Sequence, residues 1–340
     1  MKTTEEETIS GNDTKLAVPS SAPPTCTDPS CISLATVLVI IFIVGSLGNA
    51  VVIWIAGFKL KKSVNTTWYL SLAVSDFLFC FSLPFTVVQK VRDNWIFVIF
   101  MCRFMSFIML LNMFSSIFLL VIISVDRCAV VKFPVWAQNR RTIRKANGIV
   151  TMVWIISAVF STLSLIFQGI QPDFKKPTQV CHNKYVYDQN HIAVVVFRFV
   201  FGFVIPFLII IACYVVIIIR KKLKINQSAK TKKPFKIMTA LIVTFFLCWI
   251  PFHIVALMEI NHEKYDESFL HVGQVIGVTL ASANSCLNPF LYAFMGKDFK
   301  RKCSALLSKM ETAIEEEESW STMRGRSITT SGERRCSTTV

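Results

Sequence analysis

Seven apolar stretches divide the sequence, and each is about as long as a helix that crosses a bilayer. They cover residues 34–57, 66–90, 99–131, 147–167, 191–220, 235–259 and 268–294. About 20 predominantly apolar residues span the hydrocarbon core as a helix. A composition of 53% hydrophobic residues, with 29 phenylalanines, is too apolar for a protein surrounded by water. The sequence therefore predicts an all-α membrane protein, a seven-transmembrane helix bundle with its two ends on opposite sides.

The basic residues of the connecting segments predict the orientation. They are concentrated in one set of loops, which contains Lys59, Lys61, Lys62, Lys132, Arg140, Arg141, Arg144, Lys145, the segment RKKLKINQSAKTKKPFK, Lys297, Lys300, Arg301 and Lys302. Cytoplasmic loops carry the excess of Lys and Arg, so we expect an extracellular N-terminus, a cytoplasmic C-terminus and a plasma-membrane location. The net charge of +15 then lies mostly against anionic membrane lipid and requires no nucleic-acid partner.

Four segments are predicted along the chain. Residues 1–33 form an extracellular tail with a glycosylation sequon at Asn12, and their start lacks the apolar core of a cleavable signal peptide. Residues 34–296 form the seven-helix domain. Basic and apolar residues alternate at helical spacing over 297–310, which predicts an amphipathic eighth helix on the inner leaflet. Residues 311–340 are rich in Ser, Thr and Glu and are predicted to be a disordered cytoplasmic tail.

Sequence motifs for catalysis are absent. The chain has no CxxC or HExxH spacing, no Walker loop and no nucleophile elbow. We therefore predict no catalytic residues and no enzymatic activity.

One carboxylate, Asp76, stands inside the second apolar stretch. A charge near the centre of a membrane helix costs roughly 2.5–3.5 kcal/mol on insertion scales, so it is expected to face the bundle interior and to have partners there. Amide and hydroxyl side chains at comparable depth are Asn49, Asn112, Ser116, Asn284, Ser285 and Asn288. Such a cluster suits a small hard cation or a proton, and not a transition metal. A hydrogen-bonded knot that only holds the helices together is the alternative.

Two further features are a pair of opposite charges at a membrane boundary and three prolines inside the spans. Asp126 and Arg127 place opposite charges at the cytoplasmic end of the third span, where they form either a latch or a passive boundary pair. Pro206, Pro251 and Pro289 each remove a backbone hydrogen bond within a span. We predict a kink at each of them that acts as a hinge.

The order of several motifs resembles that of rhodopsin-type G-protein-coupled receptors. These motifs are Asn49, LAVSD, Cys102, DRC, Trp154, Pro206 with Tyr214, FFLCWIPFH and NPFLY. The resemblance narrows to the peptide chemoattractant branch. Within that branch the segments PVWAQN, AKTKKPFKI, TFFLCW, ANSCLNP and FMGKDFK are most similar to the chemerin-receptor family.

The resemblance implies roles for many of these residues. Asp76, with Asn112, Ser116, Asn284 and Asn288, would form a sodium site in which the ion acts as an allosteric modulator, and no other cofactor is implied. The implied activation switch consists of Asp126, Arg127, Tyr214, Phe245, Trp249, Pro251 and Tyr292. Cys102 and Cys181 would form a disulfide on the oxidising side, and Cys26 and Cys31 remain as a further pair. Cys303 is a palmitoylation candidate.

The outer ends of the spans predict the kind of ligand. Met109 replaces the aspartate of amine receptors, Ser282 the retinal lysine of opsins, Val278 the chemokine-receptor glutamate and Leu110 the formyl-peptide-receptor aspartate. The charge of Arg198 among Phe and Val side chains costs free energy unless it faces a wet pocket or an anion. By resemblance it would contact the free C-terminus of a peptide, and a side chain that only snorkels to the interface is the alternative. The remaining predicted ligand contacts are Glu259, Met109, Leu110, Met113 and Gln274.

These features predict a receptor for a chemoattractant peptide or small protein, and among the candidate ligands they favour a chemerin-like one. The implied partners are inhibitory-class G-proteins, receptor kinases, arrestin and membrane lipid, and the final STTV also suits a PDZ domain. The alternatives are a complement- or formyl-peptide-type ligand, a non-signalling scavenger receptor and an ion transporter. A single deep carboxylate and no internal repeat argue against a transporter.

Overall fold

The computed structural model describes Cys26, residues 28–172, 179–183, 188–223 and 232–295, and the separate positions 301, 304, 305 and 308. Helices dominate these residues. In chain order the elements are α1 Pro29–Trp54, a π-helical turn Ile55–Lys59, α2 Val64–Arg92, α3 Ile99–Lys132, α4 Pro134–Arg140, α5 Ile143–Phe167, β1 Gln168–Pro172, β2 Gln179–Asn183, α6 Asp188–Phe199, a π-helical turn Val200–Val204, α7 Ile205–Leu223, α8 Lys232–Glu259, a 3-10 turn His262–Lys264 and α9 Glu267–Met295.

Seven crossings of the membrane follow from these elements. Six helical segments are long and apolar enough by composition: Pro29–Lys59, Val64–Arg92, Ile99–Lys132, Ile143–Phe167, Gln189–Arg220 and Lys236–Glu259. The fifth of them runs through α6, the second π turn and α7. The seventh crossing is α9, which has 29 residues but is less apolar because it carries the polar side chains of Gln274, Asn284, Ser285 and Asn288. The predicted all-α seven-helix bundle is confirmed.

The helix ends differ somewhat from the predicted ones. The first helix begins at Pro29, ahead of the predicted 34–57, because proline is well suited to the first helical position. The second begins at Val64 because Ser63 and Thr66 form a capping box, with the Thr66 N–H 3.2 Å from Ser63 Oγ and the Ser63 N–H 2.8 Å from Thr66 Oγ1. The short helix α4 and the hairpin β1–β2 are additions that the apolar pattern does not predict.

The three prolines predicted to be hinges lie inside continuous helical spans. Pro206 is the second residue after the π turn Val200–Val204. Because proline has no N–H, the backbone carbonyl four residues earlier, on Gly202, loses its α-helical donor, and a widened turn is a local answer to that loss. Pro251 and Pro289 lie within α8 and α9. Their action as hinges remains a prediction.

The third helix is the centre of the bundle and packs against α2, α5, α7 and α8. Its side chains Met113, Phe114, Ile117 and Leu119 are completely buried. Large apolar side chains on the outside of the bundle, such as Phe58, are strongly exposed. In a bilayer these side chains meet acyl chains that are as apolar as they are, so the outer surface matches lipid.

A β-hairpin and two disulfides lie at one end of the bundle, named the outer end below, and the opposite end is named the inner end. The strands β1 and β2 pair antiparallel, with Ile170 opposite Cys181, and Cys181 is bonded to Cys102 at the start of α3 (S–S 2.01 Å). The predicted Cys102–Cys181 disulfide is thus present. Cys26 and Cys31 also form a disulfide, at 1.94 Å. Three predictions fall outside the described residues. They are the glycosylation sequon at Asn12, the palmitoylation candidate Cys303 and most of the predicted helix over 297–310.

Close packing of α8 against α9 at Gly277 gives a stability prediction. A Cβ atom at this position would lie 2.9 Å from Phe252 Cα and 3.0 Å from Phe252 N, which are backbone atoms that cannot rotate away. We expect Gly277→Ala to lower the free energy of unfolding by about 1–3 kcal/mol, since the two helices must separate. Thermal unfolding of the purified protein in nanodiscs measures the change.

The matched control for this prediction is Gly148→Ala, in α5. No atom lies within 4 Å of a Cβ at Gly148 among the described residues. Alanine is the better helix former by roughly 0.5–1 kcal/mol, so this variant is expected to be as stable as the wild type or slightly more stable. Equal thermal stability of the two variants would contradict close packing at Gly277.

Candidate functional site

The polar side chains predicted at comparable depth do meet around Asp76. This carboxylate is fully buried on α2. Asn112 of α3 donates to its Oδ1 at 3.0 Å, and Asn288 of α9 donates to its Oδ2 at 2.7 Å. Ser285 Oγ donates to Asn112 Oδ1 at 3.2 Å, and Asn49 Nδ2 donates to the Ser285 carbonyl at 2.8 Å. The cluster therefore ties α1, α2, α3 and α9 together.

Unused hydrogen-bonding capacity remains beside this cluster. Ser116 and Asn284 are both 1% exposed, and within the described part of the chain Ser116 Oγ and Asn284 Nδ2 have no hydrogen-bond partner. Both side chains line a narrow crevice together with Asn288 and Phe245. All five residues predicted for the cation site thus lie in one place.

The chemistry of this place fits a small hard cation. Among the described residues no cationic side chain lies within 4 Å of Asp76, so its charge is buried without a counter-charge. Each carboxylate oxygen accepts an amide N–H, and Ser285 is a further side-chain hydrogen-bond partner of the group. A carboxylate has about four lone-pair sites, so capacity for a cation remains. The side chains of Asp76 and Ser116 carry the oxygen atoms that would bind a cation directly. The amides of Asn112 and Asn288 present N–H groups to the carboxylate, which also makes the cluster a hydrogen-bonded knot.

Aromatic rings form a continuous path from the outer half of the bundle to this crevice. The guanidinium carbon of Arg198 lies 5.2 Å from the ring centre of Phe252. Phe252 meets Trp249 edge to face at 5.5 Å, and Trp249 stacks on Phe245 at 5.8 Å. Phe245 lines the crevice beside Asn288. The predicted ligand contact Arg198 is therefore physically connected to Trp249 and Phe245 of the predicted switch.

An open cavity of about 300 Å³ lies at the outer end of the bundle. Its walls come from α1, α2, α3 and α9, and Cys181 contributes from β2. Of the predicted ligand contacts, Met109 and Gln274 line it. The polar residues that sequence reasoning missed are Thr86, Gln89, Lys90, Trp95, Ser106, His271 and Thr279. This volume is at the lower end of ligand pockets and accommodates a few side chains of a peptide.

The other predicted ligand contacts lie elsewhere. Leu110 and Met113 are buried in the main apolar core, where they pack between helices. Arg198 is half-buried on α6 over Phe252, and Glu259 is the last residue of α8. The predicted ligand set is thus spread over a cavity, a core and the opposite wall of the bundle.

A charged cluster lies at the inner end of the bundle, opposite the β-hairpin and the disulfides. Asp126 Oδ2 lies 3.1 Å from Arg127 Nη2, as the sequence predicts. Arg141, at the end of α4, also binds Asp126, with Nε at 2.7 Å from Oδ1 and Nη2 at 2.9 Å from Oδ2. Both arginines donate to Asn65 Oδ1. Sequence reasoning counted Arg141 only as a topology charge, since its bidentate geometry depends on how the loop folds.

The two tyrosines of the predicted switch lie near this end. Tyr214 on α7 shares a 3.0 Å hydrogen bond with Thr239 on α8. Tyr292 on α9 is buried, and its ring lies 5.2 Å from that of Tyr69 on α2. The tyrosines are therefore packed against neighbouring helices and would have to move to reach Arg127.

Seven membrane-spanning helices with an open cavity at one end, a buried polar centre and a charged cluster at the other end are typical of multi-pass membrane receptors. Residues 48–292 match the family of 7 transmembrane receptors (rhodopsin family). The chain belongs to this family, and it is a multi-pass plasma-membrane protein.

Curated relatives place the chain in the chemoattractant branch. It is 42% identical over 305 residues to the chemerin-like receptor 1 of Homo sapiens, covering 84% of this chain and 81% of the relative. It is 36% identical to a C3a anaphylatoxin chemotactic receptor of Oncorhynchus mykiss, over 79% of this chain and 75% of the relative. A formyl peptide receptor-related sequence of Mus musculus is 35% identical, over 83% and 85%. The resemblance stated from the motifs is confirmed.

Proposed function

We propose that this chain is a cell-surface receptor for a chemoattractant peptide or small protein, with a chemerin-like ligand first. Bound ligand would activate inhibitory-class G-proteins and direct cell migration and inflammatory responses. The observation that carries the proposal is the aromatic path from Arg198 through Trp249 to the crevice beside Asp76. The identity of 42% to a chemerin-like receptor supports the ligand class.

The proposed orientation puts the cavity outside the cell. The loops with the positive charges, including Arg140 and Arg141, lie at the end with the Asp126–Arg127 pair. The disulfides Cys26–Cys31 and Cys102–Cys181 lie at the opposite end, which suits an oxidising compartment. The N-terminus is therefore extracellular and the C-terminus cytoplasmic.

The proposed mechanism is a population shift between two packings of the bundle. A ligand that binds one packing more tightly favours it, and the stacked rings of Trp249 and Phe245 carry the displacement inward. At the inner end Arg127 leaves Asp126 and meets the G-protein, while Tyr214 and Tyr292 move in beside it. Arg141 remains as a partner for the carboxylate of Asp126 when Arg127 leaves.

A sodium ion is the modulator that the polar centre would hold. Asp76 and Ser116, with Asn112, Asn284 and Asn288, would provide the site. The bound ion supplies the counter-charge that the described residues around Asp76 lack, and so favours the packing in which these residues are close together. The side chains of Asn112 and Asn288 hold the carboxylate in place through their N–H groups.

Signalling assays in transfected cells test the proposed function. Cells that express the chain are given a chemerin C-terminal peptide, a C3a C-terminal peptide and a formyl peptide, and calcium and cyclic AMP are recorded. We expect the strongest response to the chemerin peptide and its loss after pertussis toxin. Binding without any G-protein response would instead identify a scavenger receptor, and ligand-independent sodium current would identify a transporter.

The C-terminal tail gives a prediction about arrestin. Phosphorylation by receptor kinases adds nearly two negative charges per site, which makes the tail a ligand for a basic groove. The sites are Ser319, Ser321, Thr322, Ser327, Thr329, Thr330, Ser331, Ser337, Thr338 and Thr339. We expect their replacement by alanine to reduce arrestin recruitment sharply while ligand binding and initial G-protein activation persist. Luminescence complementation between receptor and arrestin measures the loss.

The control for the tail is a variant with only Ser337, Thr338 and Thr339 replaced, because these residues also belong to the PDZ-type ending STTV. Loss of arrestin recruitment in this shorter variant would restrict the switch to the last residues. Normal recruitment in the full variant would move it to an intracellular loop.

A further inference from the structure

The outer cavity has a positive corner on α2. Lys90 is half-buried and lines the cavity, and among the described lining residues no Asp or Glu is present. Within the part of the chain that the structure describes, no carboxylate oxygen lies within 4 Å of its ammonium group. The carboxylate of Asp93, in the exposed turn that follows α2, acts on the Lys90 ammonium group through longer-range electrostatics, and the Asp93 backbone N–H donates to the Lys90 carbonyl at 3.4 Å. The cavity therefore offers a positive charge without a matching negative one.

A buried donor without an acceptor lines the same cavity. Trp95 is 3% exposed, and its Nε1–H has no hydrogen-bond partner among the described residues. The ring is fixed in place, because its backbone N–H donates to the Gln179 carbonyl at 2.7 Å and Phe97 meets it edge to face at 5.3 Å. Trp68 and Trp249 also have an Nε1–H that is unpaired within the described part of the chain, but of these three tryptophans only Trp95 lines the open cavity, where an acceptor on a ligand can reach it.

The corner is built on rigid parts of the fold. The Cys26–Cys31 disulfide lies against the end of α2, where Cys31 Sγ is 3.4 Å from the Lys90 carbonyl oxygen. The Cys26 N–H donates to the Val91 carbonyl at 3.1 Å. On the other side, Cys181 lines the cavity and is held to α3 by its disulfide. Little ordering is needed before a ligand group binds there, which favours affinity.

We propose that Lys90 and Trp95 form an anion subsite that binds a carboxylate of the ligand. Lys90 supplies the charge, and the Trp95 indole N–H supplies a directed hydrogen bond to one carboxylate oxygen. The carboxylate is either the C-terminus of a peptide or an Asp or Glu side chain. The subsite rests on the proposed function, and it is separate from Arg198, which lies on α6 over Phe252 and is not among the residues that line the cavity.

Peptide binding to matched charge variants tests the subsite. Chemerin C-terminal peptide is measured as the free acid, as the C-terminal amide and, where it holds Asp or Glu, with that residue changed to Asn or Gln. The receptors are wild type, Lys90→Gln, Lys90→Arg and Trp95→Phe. Arg92→Gln is the control, because Arg92 is exposed at the same end of α2 and is not among the cavity residues.

We expect Lys90→Gln to lower the affinity for the free-acid peptide by about tenfold or more, which is the effect of losing one charged hydrogen bond. Lys90→Arg should recover most of the affinity and Trp95→Phe should lose a smaller part, while Arg92→Gln stays at the wild-type value. One modified peptide should bind wild type more weakly than the free acid but bind Lys90→Gln as well as the free acid does. The carboxylate that this peptide lacks is the one that binds Lys90. Equal losses of all peptides on Lys90→Gln, or no loss, would overturn the subsite and leave the receptor function intact.

A second measurement does not depend on the peptide. Receptor with ¹³C-dimethylated lysines is titrated with N-acetyl-phenylalanine and with its amide, and the Lys90 signal is assigned by its absence in Lys90→Arg. A shift of the Lys90 signal with the acid and not with the amide supports the subsite. If wild type does not bind chemerin peptide, only the proposed ligand is contradicted, and the subsite still stands on this shift. An unchanged Lys90 signal, or the same shift with acid and amide, would exclude a carboxylate at Lys90.

Discussion

Alanine at position 198 is expected to lower the affinity for a chemerin C-terminal peptide with a free C-terminus by about 2–5 kcal/mol, or roughly 30-fold to several thousand-fold. Arg198 is half-buried, and its guanidinium lies 5.2 Å from the Phe252 ring centre. A carboxylate that meets a guanidinium in such apolar surroundings loses most of its water. Removal of Arg198 would leave that charge without a partner.

A double-mutant cycle separates this contact from a general loss of packing. On wild type, amidation of the peptide C-terminus should lower the affinity by as much as Arg198→Ala lowers it for the free acid. On Arg198→Ala, amidation should lower the affinity little further. Arg198→Lys keeps the charge but not the planar fork, so an intermediate loss is expected. Additive losses of the amide and the alanine variant would show that Arg198 and the terminal carboxylate do not meet.

The same cycle assigns the two cations of the ligand-binding end. If the terminal carboxylate binds Lys90, amidation will be coupled to Lys90→Gln and additive with Arg198→Ala. If it binds Arg198, amidation will be coupled to Arg198→Ala and additive with Lys90→Gln. Lys90 would then bind a side-chain carboxylate. The two residues lie on different walls of the bundle, on α2 and α6, so a single carboxylate is not expected to couple to both.

The polar centre could be predicted from the sequence because one constraint dominates it. A carboxylate inside hydrocarbon must face the bundle interior, and only a few polar residues lie at the same depth. Asn112 and Asn288 do bind Asp76, and Ser116 and Asn284 lie beside it. The seven spans follow from an equally strong constraint, since backbone groups in lipid must be satisfied within each helix.

Charges at helix ends could not be assigned in the same way. Arg141 and Lys90 stand near the membrane boundary, where cations are common and cost little. Only the fold of the α4 segment brings Arg141 onto Asp126, and only the folded bundle, with Trp95 and Cys181, makes Lys90 part of a cavity wall. The side chain of Met113, a predicted ligand contact, is completely buried in the core, which the apolar pattern of α3 does not distinguish from a position facing the cavity.

Removal of the charge at Asp76 is expected to abolish the effect of sodium on agonist affinity. Asp76→Asn keeps the size of the side chain and one acceptor oxygen, so it can still accept from Asn112 or Asn288. The neutral amide offers no counter-charge to a cation, and its NH₂ group faces a neighbouring N–H unless that amide rotates. Agonist binding is measured in sodium and in potassium at equal ionic strength. The wild type should bind agonist more weakly in sodium.

The asparagine variant should bind agonist equally in both salts, with an affinity within about threefold of the wild type in potassium. Ser116→Ala is the companion variant, because it removes one neutral oxygen ligand and leaves the charge of Asp76. It should reduce the sodium effect without eliminating it. If sodium sensitivity survives Asp76→Asn unchanged, the polar centre is a hydrogen-bonded knot and not a cation site. Loss of thermal stability together with unchanged sodium sensitivity would confirm that alternative, since Asp76 accepts hydrogen bonds from both α3 and α9.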